Sequence, residues 1–347
     1  VEVLRVPLYP SHDRSSLRRV LNYCSFGLSA GMLGPFVVRQ PDIAYVMHPP
    51  ATIGLPALLL RYLRGIPFVL DIQDLWPDTL SATGMIKNPF ALNLVGQWCQ
   101  LTYRAAAGIA VLSPGFKQLL VQRGVPDKKI QVIYNWCDEE NVTTPSPLEP
   151  AEEAVFRDKF NLVFAGNLGS AQALEAVVDA ATLLAPELPT LQFIFIGNGI
   201  AKAALETKVK QRGLPNVRFL PRRPVEQVGA ALARADALLV HLKDDPLFRI
   251  AVPGKTQAYL AVGKPLLMAV PGDAAELVTR ARAGVLAEPE NAESIASGAR
   301  QLFRMTPAER ASLGANGKAF YKEHLSLHRG LVEFERFFQN IVSAKKQ

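Results

Sequence analysis

Residues Phe248 to Leu267 read FRIAVPGKTQAYLAVGKPLL, and the PGKT inside them raises the question of a bound phosphate. Pro253 suits the start of a helix and Gly263 its C′ stop, so the spacing predicts a helix over 254–262. The free N–H groups and positive dipole end of such a helix favour an anion. Arg249 and Lys255 bracket that end, and a diphosphate would meet the dipole and both cations at once. As plain surface charges the same two residues would carry no chemistry. Two familiar phosphate templates fail. A Walker loop needs glycine where Arg249 stands, and a G-x-G-x-x-G fingerprint begun at Gly197 and Gly199 meets Lys202 at its third glycine.

Two more Gly-rich turns, AGNLGS (Ala165 to Ser170) and IGNGIA (Ile196 to Ala201), follow strand-like runs and precede helical ones. One such turn is ordinary corner chemistry; three on one sheet edge point to a nucleotide site. In the first half of the chain, YVMHPP and DIQDLWPD place His48 and Asp74 at strand ends, where either can face a reacting carbon or an acceptor hydroxyl. Asp74 also reads as a cap for the turn before Trp76 and Pro77, and the prolines after His48 read as a rigid turn.

The elements that must position these residues alternate between strand and helix. IAYVMH, PFVLDI, GIAVLS and IQVIYN form a first series of short apolar runs, as expected of parallel strands covered on both faces. NLVFAG, LQFIFIG, VRFL, DALLVHL, PLLMAV and GVLAEP form a second, each followed by a helical pattern. Between the series an acidic, Pro-rich stretch reads as a linker. The expected division is a first domain over 1–138, a linker over 139–158, a second domain over 159–325 and a terminal helix over 326–347. Two doubly wound parallel-sheet domains are expected to face each other across a cleft. The tail from Pro307 to Lys346 is expected to be helical throughout.

With 347 residues the chain is too long for one ordinary core. A net charge of +7 admits an anionic partner, whether nucleotide, lipid headgroup or nucleic acid. No basic stripe interleaved with aromatics argues for nucleic acid. Cys24, Cys99 and Cys137 are widely spaced and suggest neither a metal nor a disulfide framework, which suits a reducing cytoplasm. No run of 18 uninterrupted apolar residues occurs, so a membrane-spanning helix is not expected. The chain opens on Val1 inside the strand-like VEVLRVPLY, and is expected to be a fragment whose start lies upstream.

Arg14 to Leu33 is amphipathic. Arg14, Arg18, Asn22, Ser25 and Ser29 recur on one helical face, with Leu17, Val20, Leu21, Cys24 and Leu28 on another. Such a helix either covers the sheet or lies on an anionic membrane surface. Arg14, Arg18, Arg19 and Phe26 are the candidate membrane residues, with Trp98 and Met32 as further anchors.

The motifs FAGNLG, IGNG, NVRFLPRRP, ADALLVHLKDDPLF and PGKTQAYLAVGKPLL, in that order, resemble the family 4 glycosyltransferases, retaining enzymes of GT-B fold. DIQDLWPDT and VIYNWCDEE narrow the resemblance to bacterial O-antigen and capsule enzymes of the WbuB type. The resemblance covers nearly the whole chain. It implies a UDP-sugar donor held by the second domain, the sugar being an N-acetylated amino-deoxyhexose. It also implies a lipid-linked saccharide acceptor on the first domain, no metal or other cofactor, and peripheral association with the cytoplasmic face of the membrane. Carried over by position, Gly166, Asn167 and Gly169 match the first donor loop, and Gly197, Asn198 and Gly199 the loop near the base. Pro253, Gly254, Lys255 and Thr256 match a phosphate-holding helix start. The sequence departs from the family at Ile250 and Ala258, where two glutamates are common, and at Asn167 and Gln172, where an Arg and a Lys are common. Arg249, Lys255, Arg222 and Arg223 are then the expected suppliers of positive charge, and Gln257 can reach ribose hydroxyls in place of a glutamate. The catalytic candidates are Asp74, His48 and Arg249. A UDP-sugar epimerase of the same fold and a non-catalytic, donor-binding membrane scaffold are the alternatives.

Overall fold

The apolar runs become parallel strands because each can be covered on both faces. The computed structural model describes residues 2–11, 16–143 and 147–346. Two compact units divide the chain: Val1–Ile133 with Val332–Gln347, and Tyr134–Leu331.

Chain order in the first unit is α1 (Ser16–Val37), β1 (Ala44–His48), α2 (Gly54–Arg64), β2 (Phe68–Ile72), α3 (Asp78–Ala82), α4 (Pro89–Ala105), β3 (Gly108–Val111), α5 (Pro114–Gln122) and β4 (Ile130–Val132). Among the described residues the strands pair in parallel in the order β1-β2-β3-β4. β2 and β3 lie in the middle and are buried along their whole length. At the β1 edge, Tyr45 and Met47 point outward while Val46 and His48 point in.

The expected first strand, VEVLRVPLY, is not a strand: residues 2–9 form no ladder. A strand needs a partner for its backbone groups, and here α1 serves them instead. Tyr9 N–H donates to Ser25 Oγ at 2.8 Å, Asn22 Nδ2 donates to the Tyr9 carbonyl at 2.7 Å, and Ser29 Oγ donates to the Pro7 carbonyl at 2.6 Å. The polar face of α1 is thus occupied by chain. Its buried contact is made by small residues. A Cβ at Gly27 would lie 2.8 Å from the Thr52 carbonyl oxygen, and one at Gly31 3.2 Å from Leu55. The apolar residues Val20, Leu21, Leu28, Met32 and Phe36 are left exposed, Phe36 by 85%. Arg18–Val37, 20 residues of mean hydropathy 1.2, is long and apolar enough to cross a membrane by length and composition. The sequence criterion missed it because Asn22, Ser25 and Ser29 interrupt the run. Arg18 is exposed, Arg19 and Phe26 are half-buried, and Arg14 lies outside the described residues.

The second unit runs α6 (Glu139–Thr143), α7 (Pro150–Glu153), β5 (Phe160–Ala165), α8 (Glu175–Leu184), β6 (Leu191–Ile196), α9 (Lys202–Gln211), β7 (Val217–Leu220), α10 (Val225–Ala233) and β8 (Ala237–His241). It continues through α11 (Pro246–Arg249), α12 (Gly254–Val262), β9 (Leu266–Ala269), α13 (Asp273–Ala281), β10 (Gly284–Leu286), α14 (Ala292–Arg304), α15 (Pro307–His324) and α16 (Leu327–Lys346). The expected linker contributes α6 and α7, and ion pairs from Glu152 to Arg223 and from Glu153 to Arg234 attach it to this unit. The helical tail is two helices, broken at Leu325 and Ser326. From Val332 onward α16 belongs to the first unit, where Phe334 meets Tyr45 edge-on at 5.7 Å and Phe337 packs on Gly108.

The second sheet is parallel, in the order β10-β9-β8-β5-β6-β7. Growth reverses between β5 and β8, which is a topological switch point, the place where open α/β sheets bind ligands. There the turns after β5 and β6 lock together. Gly197 has φ 151°, and a Cβ on it would lie 1.9 Å from the Gly166 carbonyl oxygen. By contrast Gly213, at φ 59°, meets open space. Gly197→Ala is therefore expected to destabilise the second unit by about 2–4 kcal/mol. Gly213→Ala should cost only about 1–2 kcal/mol, for left-handed backbone alone. Urea unfolding followed by circular dichroism checks the contrast, and equal losses would contradict the interlock.

Candidate active site

A cavity of about 440 Å³ opens at the switch point of the second unit. The turn after β5 gives it Gly166 and Asn167, the turn after β6 Gly197 and Asn198, and the loop after β7 Arg222 and Arg223. α12 contributes Lys255 and Tyr259. This helix has the predicted bounds, 254–262, with Gly263 left-handed at its end. Tyr259 is buried, and its hydroxyl accepts from Ala165 N–H at 2.8 Å while reaching the Ala165 carbonyl at 3.3 Å. One turn earlier, Lys255 is thereby held over the end of β5. Its Nζ stands 3.5 Å from the centroid of the Phe164 ring and borders Gly166. That nitrogen is buried and has no hydrogen-bond partner among the described residues. Burial lowers the Lys255 pKa from 10.5 to about 7. A buried, unpaired cation at a cavity wall is a receptor for an anion.

Several predicted residues serve the loops themselves. Gln172 Oε1 accepts from Gly169 N–H at 3.1 Å, and Asn198 Oδ1 accepts from Gly199 N–H at 2.9 Å. A Cβ on Gly199 would lie 2.3 Å from the Leu168 carbonyl oxygen, so this glycine permits close backbone approach. Gly254 is exposed with open space at its Cβ position, and the Thr256 hydroxyl is buried without a partner.

Three expectations change. Arg249 does not join Lys255: its guanidinium makes a bidentate pair with Asp244 at 2.8 and 2.9 Å and lies outside the cavity lining. Arg223 lines the cavity but is ion-paired with Glu152, leaving the exposed Arg222 as the second free cation among the described lining residues. Gln257 is buried, and its amide donates to the carbonyls of Pro253 and Gly254 at 2.8 and 3.2 Å, so its donor groups are taken up at the helix start.

Sequence reasoning missed His241. Fully buried at the end of β8, it donates from Nδ1 to the Gln172 carbonyl at 2.7 Å and accepts from Glu290 N–H at Nε2 at 3.0 Å. Those roles fix the neutral tautomer, and burial lowers its pKa in agreement. It ties β8 to the first Gly-rich loop across the switch point. The signal was a polar residue ending the apolar run DALLVHL.

In the first unit, Asp74, Arg19, Tyr23 and Trp76 line a separate cavity of about 580 Å³. Burial raises the Asp74 pKa, and Tyr23 and Trp76 stand 6.3 Å apart, centroid to centroid. A carboxylate, a guanidinium and two aromatic faces suit a saccharide with an anionic group. His48 is 2% exposed, edge-on to Trp76 at 5.7 Å, and burial lowers its pKa to about 4, so it is neutral near pH 7. Among the described residues no group of three His, Cys, Asp or Glu is placed to hold a metal.

Comparison with known proteins agrees with this geometry. Residues 1–136 match the Glycosyl transferase 4-like domain, and residues 146–320, half of the chain, match the Glycosyl transferases group 1 model. The chain is 26% identical over 316 residues to WbjE of Pseudomonas aeruginosa, named a glycosyltransferase, covering 89% of this chain and 77% of that one. It is 27% identical over 274 residues to WcaI of Escherichia coli K12, named a glycosyl transferase of colanic acid biosynthesis, covering 75% and 65%. In structure it is similar to Anabaena Alr3699/HepE crystallised with UDP-glucose, at TM-score 0.69 and 18% identity over 94% of this chain and 84% of that one. Two parallel-sheet units of GT-B type, matched in order along the chain, make it a member of the group 1 glycosyl transferases and a glycosyltransferase.

Proposed function

We propose that the chain is a retaining glycosyltransferase that moves a sugar from UDP to a lipid-linked saccharide in bacterial cell-surface polysaccharide synthesis. One observation carries the donor half of this reading: the Lys255 ammonium, buried without a counter-ion at the wall of the switch-point cavity. HepE, of the same fold, binds UDP and UDP-glucose in its crystals, and WcaI is named for colanic acid, a polysaccharide. The donor sugar is an N-acetylated amino-deoxyhexose in this reading, by the resemblance of the DIQDLWPDT and VIYNWCDEE segments to O-antigen and capsule enzymes of the WbuB type. No metal is required, since Lys255, Arg222 and the start of α12 supply the positive charge.

The bond from the anomeric carbon to the diphosphate oxygen breaks, the sugar becomes oxocarbenium-like, and negative charge grows on the leaving diphosphate. Lys255 and the free amides at the start of α12 are fixed before that charge appears, so they stabilise it without reorganisation. The acceptor saccharide binds in the Asp74 cavity, its ring on Trp76 and a hydroxyl donating to the Asp74 carboxylate. An epimerase would need acid and base carboxylates around the donor, and none lines the cavity among the described residues. The exposed apolar face of α1 lies on the cytoplasmic surface of the membrane that carries the acceptor, because its glycine face is already committed to the fold.

Lys255→Met is expected to weaken UDP binding about 10- to 100-fold, the loss of a charge-assisted contact worth about 1.5–3 kcal/mol. Arg249→Ala, already paired with Asp244, should change it less than about threefold. Isothermal titration separates them, and equal losses would refute the assignment of Lys255. A pH effect follows from the same burial. The charged side chains that line the cavity beside Lys255 among the described residues are Arg222 and Arg223, the latter paired with Glu152, and no carboxylate lines it to favour protonation of the amine. With its pKa lowered to about 7, the folded state binds fewer protons than the unfolded chain above that pH. Stability should therefore rise from pH 7 toward pH 10, less steeply in Lys255→Met. UDP-glucose binding at pH 8 to 9 should take up a proton, read from titrations in buffers of different ionisation enthalpy. Finally, Met32→Ser with Phe36→Ser should reduce co-sedimentation with anionic vesicles roughly tenfold, by lost apolar insertion, while leaving the melting temperature unchanged. Undiminished binding would remove α1 from the membrane contact.

A further inference from the structure

We infer that a groove at the strand-entry edge of the first unit's sheet binds the phosphate headgroup of an anionic membrane lipid. The groove, of about 780 Å³, lies at the opposite end of the strands from Asp74. It is lined by Arg61 and Tyr62 of α2, Lys128 and Lys129 ahead of β4, and Phe337 and Lys345 of α16. Four cations thus surround it, and no Asp or Glu does among the described residues. The neighbouring carboxylate, Asp127, is committed to Lys117 at 3.0 Å. Two of the cations are fixed by backbone. Lys129 Nζ donates to the carbonyls of Tyr103 and Arg104 at 2.9 and 2.7 Å, and Lys345 Nζ to that of Gly65 at 2.8 Å. The Arg61 guanidinium and the Lys128 ammonium have no hydrogen-bond or ion-pair partner among the described residues. Like charges gathered without counter-ions repel, and a bound anion removes that cost.

The chemistry beside the groove selects a lipid over a free anion. Tyr62 and Leu63, in the last turn of α2, are 69% and 65% exposed, and Phe36 near the end of α1 is 85% exposed. Arg64 joins these helix ends by donating to the carbonyls of Pro35 and Val38. An apolar rim next to a cationic hollow matches the boundary between acyl chains and phosphates. Phe337 lines the groove itself and adds apolar surface beside the cations. The inference rests on the reading of α1 as a membrane contact and adds a headgroup site to it.

The full chain is floated with phosphatidylcholine vesicles and with vesicles containing one-third phosphatidylglycerol. Wild type is expected on the anionic vesicles. Arg61→Gln with Lys128→Gln should lower that partition on the order of 25-fold, at roughly fivefold per basic side chain. An unaltered melting-temperature shift with UDP shows that the variant is folded. If the variant partitions like wild type while the α1 variant does not, the groove is refuted and the α1 contact stands. If wild type floats with neither vesicle, both fall together. In a third arm inorganic phosphate is added without vesicles. Should it raise the melting temperature of wild type but not of the groove variant, the site holds soluble phosphate and the lipid assignment is overturned.

Discussion

The Tyr259 hydroxyl, clamped on both backbone groups of Ala165, is the contact on which the switch-point cavity depends. The last residue of β5 would otherwise leave its amide unpaired beneath a helix, at a cost comparable to a lost hydrogen bond. By meeting that need, Tyr259 fixes α12 against the strand one residue before Gly166. Lys255 is one turn away on the same helix face, so its position follows from the same contact. The Phe164 ring below and Gly166 beside it leave room for the ammonium and give it no acceptor.

This placement matters because the Lys255 amine is buried. An unpaired amine in such a site shifts its pKa toward neutrality, and an anion bound beside it would reverse the shift. The interlocked glycine turns contribute in a different way. Gly166, Gly197 and Gly199 bring two loops into backbone contact, and His241 ties the first of those loops to β8. The two glycine turns are thus held by neighbours on both sides of the switch point.

The first unit shows how a helix can be turned over by its surroundings. α1 is docked through Gly27 and Gly31, and its polar stripe is taken up by residues 7–9. What is left for solvent beyond Arg18 includes the apolar Val20, Leu21, Leu28, Met32 and Phe36. Two exits exist for such a face, burial against protein or burial in a bilayer, and the proposed lipid-linked acceptor would favour the second.

The sequence by itself determined the elements and their order. Each strand of the second unit was readable as a continuous apolar run, and α12 was bounded to the residue by Pro253 and Gly263, because proline and glycine act through local backbone sterics. The phosphate-type helix start with Lys255, and the glycine turns at strand ends, were readable for the same reason. Partnership was not. Arg249 is as cationic as Lys255 in the sequence, and only folding shows it spent on Asp244 while Lys255 stays unpaired. Gln257 reads as an exposed helix residue until Pro253 and Gly254 present it with their carbonyls. His241 gave little local sign, since its partners Gln172 and Glu290 lie 69 and 49 residues away. The strand expected at the N-terminus does not form, because residues 7–9 find their partners on α1, which lies close in sequence but shows no such role in the sequence pattern. Local sterics fix where an element begins and ends; which charges remain free is settled by groups distant in the chain, and only the tertiary structure brings those together.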